Sequence, residues 1–183
     1  MEASKTGSVI PEYNVVQDVR ASQKVFTASW PMTITPLDTC GRVRLTGAKY
    51  QAVAESQHPL ARAVIENYKI WQQRGDWVQD ADASSILFDC VAVYLAYADE
   101  LLTMRRMKVT VTDDGFTRED PAGHEMNVAM EWKNMGAFED RIVARLTEGI
   151  IKINIRRADA TFEFVWPGCR LNRIMFRTEG GSW

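Results

Sequence analysis

A single carboxylate inside a long apolar run is the sequence feature that most constrains this chain. Between residues 86 and 98, every side chain except that of Asp89 is apolar or aromatic. The run predicts a helix that is apolar nearly all round, capped by Ser84 or Ser85. Such a helix is expected to be central and covered on most sides. A buried Asp89 would then need an arginine, backbone N–H donors or a metal ion to compensate its charge.

Two roles for Asp89 stay open on this reasoning. In the structural role, its carboxylate forms a buried salt bridge or a hydrogen bond to a helix N-terminus, and the dipole of its own helix helps to hold the charge. In the functional role, an oxygen-only ligand of this kind suits a hard cation such as Ca²⁺ or Mg²⁺.

A second polar group lies far upstream, at Glu12 and Asn14. The two residues are two apart, so on an extended backbone their side chains project to the same side. An acid and an amide placed together can accept and donate hydrogen bonds to a polyhydroxylated ligand. The alternative is a surface loop with two solvated side chains. Asp38 and Thr39 follow a predicted strand, where ligands of α/β sheets often bind, although a plain turn also accounts for them.

Composition excludes several classes of protein. The chain has 183 residues, of which 46% are hydrophobic and 25% charged, and this favours one globular domain. The formal net charge of -2 argues against nucleic acid and anionic membranes as partners. We find neither a run long enough to span a membrane nor a signal peptide. The 3 cysteines lack a C-x-x-C spacing, so neither a zinc site nor a disulfide framework is expected. A cytoplasmic location, where cysteines stay reduced, is expected instead.

The order of the predicted elements favours the α/β class, as an open sheet with flanking helices and a β-hairpin region. Asp18 is predicted to cap a helix with Val25 and Phe26 on its inner face. Turns are predicted at residues 38–41, 113–115 and 120–123. Helices are predicted near residues 19–28, 47–56, 59–73 and 137–146 in addition to the helix with Asp89, and strands near 32–37, 108–112 and 125–132.

The predicted domain division separates residues 1–149 from a tail at 150–183. Short strands are expected in the tail, near residues 150–155 and 161–166. Only one convincing core strand, at residues 32–37, precedes the hairpins. A self-sufficient α/β sheet normally has several strands alternating with helices, so residues 1–149 have the appearance of the back half of a larger domain.

Taken in order, these segments resemble the C-terminal half of the inosine–uridine-preferring nucleoside hydrolase family. Residues 12–21 are similar to the family's E-[FY]-N-x-x-x-D-x-x-A stretch. Residues 31–39 resemble its next strand, which ends in Leu-Asp and commonly Thr. Phe88 and Asp89, in Phe-Asp-Cys-Val-Ala, resemble its late H-D-x-x-A helix motif. The order and spacing of the motifs are more specific than any one of them.

The resemblance implies hydrolysis of the N-glycosidic bond of ribonucleosides with a tightly held Ca²⁺. By motif, Glu12 and Asn14 would bind ribose hydroxyls, and Asp89 would be a ligand of the calcium ion. A ribonucleoside, or another ribosyl small molecule, is therefore the expected ligand. The resemblance assigns no catalytic residue in this chain.

Two departures from the family pattern qualify that expectation. The family's Asp-rich motif, D-x-D-x-x-x-D-D, is absent from the sequence, and Phe88 stands in place of the motif histidine. We therefore expect a partial domain that is weak or inactive alone, as a homo-oligomer or in need of a missing N-terminal half. A non-catalytic module that binds a ribosyl ligand or pairs with another subunit is the alternative. A third hypothesis is a purely structural fragment with Asp89 in a salt bridge.

Overall fold

The computed structural model describes residues 10–73 and 82–148. These two stretches form seven helices: α1 (Tyr13–Gln17), α2 (Val19–Phe26), α3 (Leu37–Cys40), α4 (Gly47–Ala54), α5 (Pro59–Gln72), α6 (Phe88–Leu95) and α7 (Met135–Thr147). They also form four strands: β1 (Thr33–Ile34), β2 (Leu102–Val111), β3 (Thr117–Glu119) and β4 (His124–Trp132).

The strands form one open mixed sheet in the order β1-β4-β2-β3. β1 is parallel to β4, whereas β2 is antiparallel to both β4 and β3. The turn between β2 and β3 contains Gly115, whose φ of 83° lies in the left-handed region that favours glycine. Its N–H donates to the carbonyl of Thr112 at 2.9 Å. The α/β class, the flanking helices and the predicted hairpin turn are therefore confirmed.

Apolar side chains cover both faces of this sheet. Val128 and Ala129 are adjacent in β4 and point to opposite faces. Ala129 belongs to a core beneath α3, α6 and α7, formed by Cys40, Val43, Val91, Tyr94, Leu102, Ala129 and Phe138. Val128 belongs to a second cluster, with Met107, Val109 and Met126, against which Phe26 of α2 packs. The sheet therefore separates two apolar layers.

The predicted helix cap at Asp18 is present, and Asn134 forms a second cap. The Asp18 carboxylate accepts from the Ala21 N–H at 2.9 Å and starts α2. The Asn134 side-chain oxygen accepts from the Ala137 N–H at 2.9 Å and starts α7. Of the two apolar residues expected on the inner face of α2, Phe26 packs inward, but Val25 is 47% exposed.

The predicted strand at residues 32–37 and the turn at 38–41 are partly wrong. Only Thr33 and Ile34 pair with β4. Pro36 has no N–H to continue the sheet, and its carbonyl accepts instead from the N–H groups of Thr39 and Cys40. The segment after Pro36 is therefore helix α3 rather than a strand end and a turn.

The prediction that the Asp89 helix is central and covered on most sides is wrong. Helix α6 buries Val91 and Tyr94, but Val93 is 64% exposed. Ser84 does not cap it, because its hydroxyl accepts from the Leu45 N–H and donates to the Ser85 carbonyl. Apolar composition all round a helix does not determine whether enough other elements exist to cover it.

The tail at residues 150–183 lies outside the described residues, so its predicted strands and the domain division stay predictions. Among the helices described, none has the length and apolar character needed to cross a membrane. The cytoplasmic location is likewise still a prediction.

Tyr94 joins α6 to β2 and α7. It is 1% exposed, and its hydroxyl accepts from the Leu101 N–H at 3.1 Å. Burial raises the pKa of Tyr94 to about 12. Arg141 of α7 donates to Glu100 at 2.7 Å, and the same carboxylate forms a hydrogen bond with the Tyr94 hydroxyl.

We expect Tyr94→Phe to lower the free energy of unfolding by about 1–2 kcal/mol, because the Leu101 N–H loses its buried acceptor. Urea unfolding followed by circular dichroism measures the change. Tyr13→Phe is the control, because Tyr13 is 70% exposed on α1, and it should leave the free energy of unfolding unchanged. An unchanged unfolding free energy for Tyr94→Phe would contradict this role.

The ion pair of Glu100 and Arg141 predicts a pH dependence of stability. Burial raises the pKa of the Glu100 carboxyl, but the Arg141 hydrogen bond and charge outweigh that effect, so the net pKa is lowered. The stabilisation is present above the unfolded-state pKa, about 4.3, and is lost as pH falls through the lower folded-state pKa. We expect Glu100→Gln to destabilise the protein at pH 7 and to match the wild type progressively as pH falls below about 4.

Urea unfolding over that pH range measures the difference. Glu66→Gln is the control, because the Glu66–Arg62 pair, at 4.0 Å, is longer and more exposed than the Glu100–Arg141 pair at 2.7 Å, and long exposed pairs contribute little. A constant difference between Glu100→Gln and the wild type would exclude the mechanism.

Candidate functional site

Glu12 and Asn14 are in direct contact. Glu12 is the N-cap of α1, and its Oε2 accepts from the Val15 N–H at 3.0 Å. Its Oε1 accepts from Asn14 Nδ2 at 3.1 Å. The two side chains lie on the same side, as predicted, and also form a hydrogen bond with each other. The predicted extended backbone is not present, because Asn14 is helical. Glu12 lies in the extended region just before the helix, and its side chain folds back over the first turn.

Helix α1 is held against the tip of the β2–β3 hairpin. A Cβ atom on Gly115 would lie 2.7 Å from Cγ1 of Val16, a distance that side chains do not tolerate. Gly115 therefore serves both the turn and the close approach of α1. This contact fixes the helix whose N-terminus carries Glu12 and Asn14.

Asp89 is exposed in the first turn of α6. The prediction that it is buried and compensated is wrong for the described part of the chain. Within residues 10–73 and 82–148 it forms no ion pair, so the structural hypothesis of a salt bridge with arginine has no support there. Solvent and the positive end of the helix dipole are sufficient to stabilise the carboxylate at this position.

Glu12 and Asp89 converge on the Cys40 thiol. Burial raises the pKa of Cys40, a hydrogen bond from the thiol to Thr35 opposes the rise, and the negative charges of Glu12 and Asp89 add to it. Both carboxylates are thus within electrostatic range of one sulfur atom. The two polar groups of the sequence therefore belong to the neighbourhood of Cys40 in α3, against which α6 packs.

Phe88 lies beside this neighbourhood. A Cβ atom on Gly41 would lie 3.5 Å from Cε1 of the Phe88 ring, so the ring borders the end of α3. Phe88 is nevertheless 39% exposed. Gly41 is thus beside the Phe88 ring, and Cys40 is within electrostatic range of Glu12 and Asp89. We refer to Cys40 and Gly41 as the floor. We define this arrangement of Glu12, Asn14, Cys40–Gly41, Phe88 and Asp89 as the α3 site.

The floor is anchored by Thr39, which is 1% exposed. Its hydroxyl lies 2.8 Å from the carbonyl oxygens of both Ala129 and Met130 in β4. The Trp132 indole donates to the Thr39 carbonyl at 3.0 Å. Thr39 therefore has a structural role, and the ligand position suggested for Asp38 and Thr39 is not realised at Thr39.

Cys40 and Gly41 were missed by sequence reasoning. The available signal was their position directly after a strand, where α/β sheets place ligands. That signal indicated the correct segment but the wrong residues within it. The segment is the helical turn α3, which buries Thr39, and its C-terminal residues Cys40 and Gly41 belong to the site.

The described residues do not form a calcium site by themselves. Calcium takes 6–8 oxygen ligands, whereas residues 10–73 and 82–148 contain no group of three or more His, Cys, Asp or Glu side chains able to hold a metal ion. Glu12 is already engaged with Val15 and Asn14. Asp89 is exposed and suitable as one ligand, but it supplies at most two oxygens.

Three solved structures are similar to the chain. A plant nucleoside hydrolase has a TM-score of 0.61 and 18% identity, with 74% of this chain and 47% of that chain covered. An inosine-uridine preferring nucleoside hydrolase from Bacillus anthracis has a TM-score of 0.58 and 21% identity, with 76% of this chain and 43% of that chain covered. A purine-preferring ribonucleoside hydrolase from Gardnerella vaginalis has a TM-score of 0.54 and 18% identity, with 75% of this chain and 46% of that chain covered.

At these identities the solved structures show a shared fold. The chain spans less than half the length of each of them. No curated protein matches the chain. The family model described as inosine-uridine preferring nucleoside hydrolase matches residues 4–141, which include every residue of the α3 site. The chain belongs to the inosine-uridine preferring nucleoside hydrolase family.

Proposed function

We propose that the α3 site binds the ribosyl part of a ribonucleoside and that the 183-residue chain hydrolyses the N-glycosidic bond weakly or not at all by itself. The observation that carries the proposal is the Glu12 carboxylate at the N-terminus of α1, which accepts a hydrogen bond of 3.1 Å from the Asn14 amide. The exposed Asp89 lies near enough to act on the same Cys40 thiol as Glu12. Two carboxylates and an amide around one floor are suited to a ligand rich in hydroxyl groups. Family membership gives the class of ligand.

Glu12 and Asn14 have the capacity to bind ribose hydroxyls. An ionised carboxylate offers about four acceptor positions, and Glu12 uses one on each oxygen, for Val15 and for Asn14. It therefore retains acceptor capacity for two adjacent hydroxyls. The contact with Glu12 also fixes the orientation of the Asn14 amide, which is exposed and supplies both a donor and an acceptor.

The negative charges of Glu12 and Asp89 would assist one part of glycosidic bond cleavage, the development of positive charge on the ribosyl group. The ribosyl group becomes positively charged as the bond to the base breaks, and negative side chains near it stabilise that charge. Glu12 and Asp89 supply such charges. The departing base also needs a proton or another means of stabilising its negative charge, and Phe88 has no proton to donate. The described residues do not complete a site for calcium.

The alternative function is a module that binds a ribosyl ligand, or pairs with another subunit, without catalysis. Phe88 favours it, because the phenyl ring occupies the place of the motif histidine while the ribosyl contacts are kept. Calcium independence of ligand binding is what distinguishes this alternative from a hydrolase whose metal site is completed elsewhere.

Ribose binding is the first test. We expect the wild type to bind ribose and inosine in isothermal titration calorimetry, and Glu12→Gln to weaken both by roughly 10- to 100-fold, the loss of a charged hydrogen bond. Glutamine keeps an acceptor for the Val15 N–H, so α1 stays capped. Asp18→Asn is the matched control, since Asp18 caps α2 in the same way, and it should leave both affinities unchanged. Equal affinities for Glu12→Gln and the wild type would contradict the proposal.

Activity is the second test. With inosine or uridine and added Ca²⁺, we expect the 183-residue chain to release free base no faster than the buffer alone, or slowly enough that only long incubations detect it. Chromatography of the products measures the release. Rapid Ca²⁺-dependent release that Asp89→Ala abolishes would show that the chain is a competent enzyme and contradict the proposed weakness.

A further inference from the structure

We propose that an exposed apolar stripe on helix α5 is the docking surface for the chain's own C-terminal segment, residues 150–155. The stripe consists of Leu60, Val64 and Trp71. This interaction lies within one chain and is independent of the proposed ribosyl site.

The stripe is continuous and open. Leu60, Val64 and Trp71 are 49%, 41% and 46% exposed. At 3.6 residues per turn, the three side chains lie within about 40° of one another around the helix axis. Neighbouring large apolar side chains left open in this way are typical of a surface that another apolar group contacts.

The stripe is also held in position by the packed side of α5. Ala61 and Ile65 are buried in the cluster that joins α5 to α4 and α7, and Tyr68 packs against that cluster. The Tyr68 and Trp71 rings are stacked, with their centroids 5.6 Å apart. The exposed Trp71 ring is therefore supported by a side chain that is itself packed in the core.

The described part of the chain ends beside α5. Helix α7 contacts α5, and Leu146 near the end of α7 packs against the cluster that contains Ala61 and Ile65. Glu148 is the last described residue, so the proposed docking segment begins two residues further on. An extended chain reaches residue 155 within about 23 Å of Glu148, whereas α5 is about 20 Å long. The segment can therefore reach the stripe.

The sequence of the segment complements the stripe in character and length. Ile151, Ile153 and Ile155 alternate with Lys152 and Asn154, so in an extended chain the three isoleucines project to one side. Six extended residues span about 17 Å, and the stripe spans about 16 Å along its helix. One row of isoleucines thus matches one row of exposed apolar side chains.

Charge favours contact of the tail with the rest of the chain. Residues 149–183 contain six Lys or Arg and three Asp or Glu, a net charge of +3, whereas residues 1–148 contain 16 and 21, a net charge of -5. The opposite signs attract the two parts, and the isoleucines then determine where the segment binds. The segment lies beyond residue 141, the last residue that the family model matches.

Photo-crosslinking in the full 183-residue chain tests the proposal. With p-benzoylphenylalanine in place of Val64, we expect irradiation to join the probe to residues 149–156 of the same chain, as identified by mass spectrometry of the monomer. The same probe at Glu66 is the matched control. Glu66 is exposed and lies about 160° around the helix from Val64, so its probe should not reach the tail.

Thiol labelling supplies a second measurement, in a Cys90→Ser, Cys169→Ser background where the remaining native thiol, Cys40, is buried. We expect Val64→Cys to react with iodoacetamide several-fold faster when Ile151→Ser, Ile153→Ser and Ile155→Ser are introduced together, because the stripe is then uncovered. The pair Lys152→Ser and Asn154→Ser, on the other side of the segment, is the matched control and should leave the rate unchanged. Circular dichroism establishes that each variant is folded.

Other occupants of the stripe give different results. A crosslink from position 64 to residues 74–81 would assign the stripe to the segment that follows α5, and a covalent dimer would assign it to a second copy. Either result would overturn the proposal, as would the lack of any crosslink to the tail or an unchanged labelling rate in the isoleucine variant. A crosslink to the tail, with labelling that accelerates only when the isoleucines are replaced, supports it.

Discussion

The attachment of Thr39 to β4 is the constraint on which the α3 site depends. A four-residue helix has little stability of its own, and α3 is held by the Thr39 hydroxyl at the Ala129 and Met130 carbonyls and by the Trp132 indole at the Thr39 carbonyl. These contacts are in a buried setting, where hydrogen bonds are well protected from competing water. They fix Cys40 and Gly41 relative to the sheet, and so fix the floor of the α3 site.

Features set by neighbouring residues were predictable from the sequence. The cap at Asp18 and the turn at Gly115 each depend on a few adjacent residues and on the oxygen or backbone freedom those residues supply. The placement of Glu12 and Asn14 on the same side was predicted for the wrong reason, because N-capping rather than an extended backbone brings them together. The family motifs indicated the positions of these local features, because the spacing of residues within each motif determines the local geometry.

Features set by distant residues were not predictable in the same way. Asp89 was expected to be buried because its neighbours are apolar, yet burial depends on which elements pack against α6, and within the described residues only one side of that helix is covered. Cys40 gave no signal of its own, since its place between two carboxylates depends on where α1 and α6 lie. The exposure of Phe88 has the same origin. The polar groups of the site are thus recognisable from short stretches of sequence, whereas its shape depends on tertiary packing between distant segments.

The convergence of Glu12 and Asp89 on Cys40 is tested most directly by titrating that thiol. In a Cys90→Ser, Cys169→Ser background, ultraviolet absorbance follows thiolate formation as pH rises. The structure predicts that Glu12→Gln and Asp89→Asn each lower the pKa of Cys40, because each removes a negative charge that opposes ionisation, and that the double variant lowers it further. Asp140→Asn on α7 should leave it unchanged. An unchanged pKa of Cys40 in either single variant would contradict a common site.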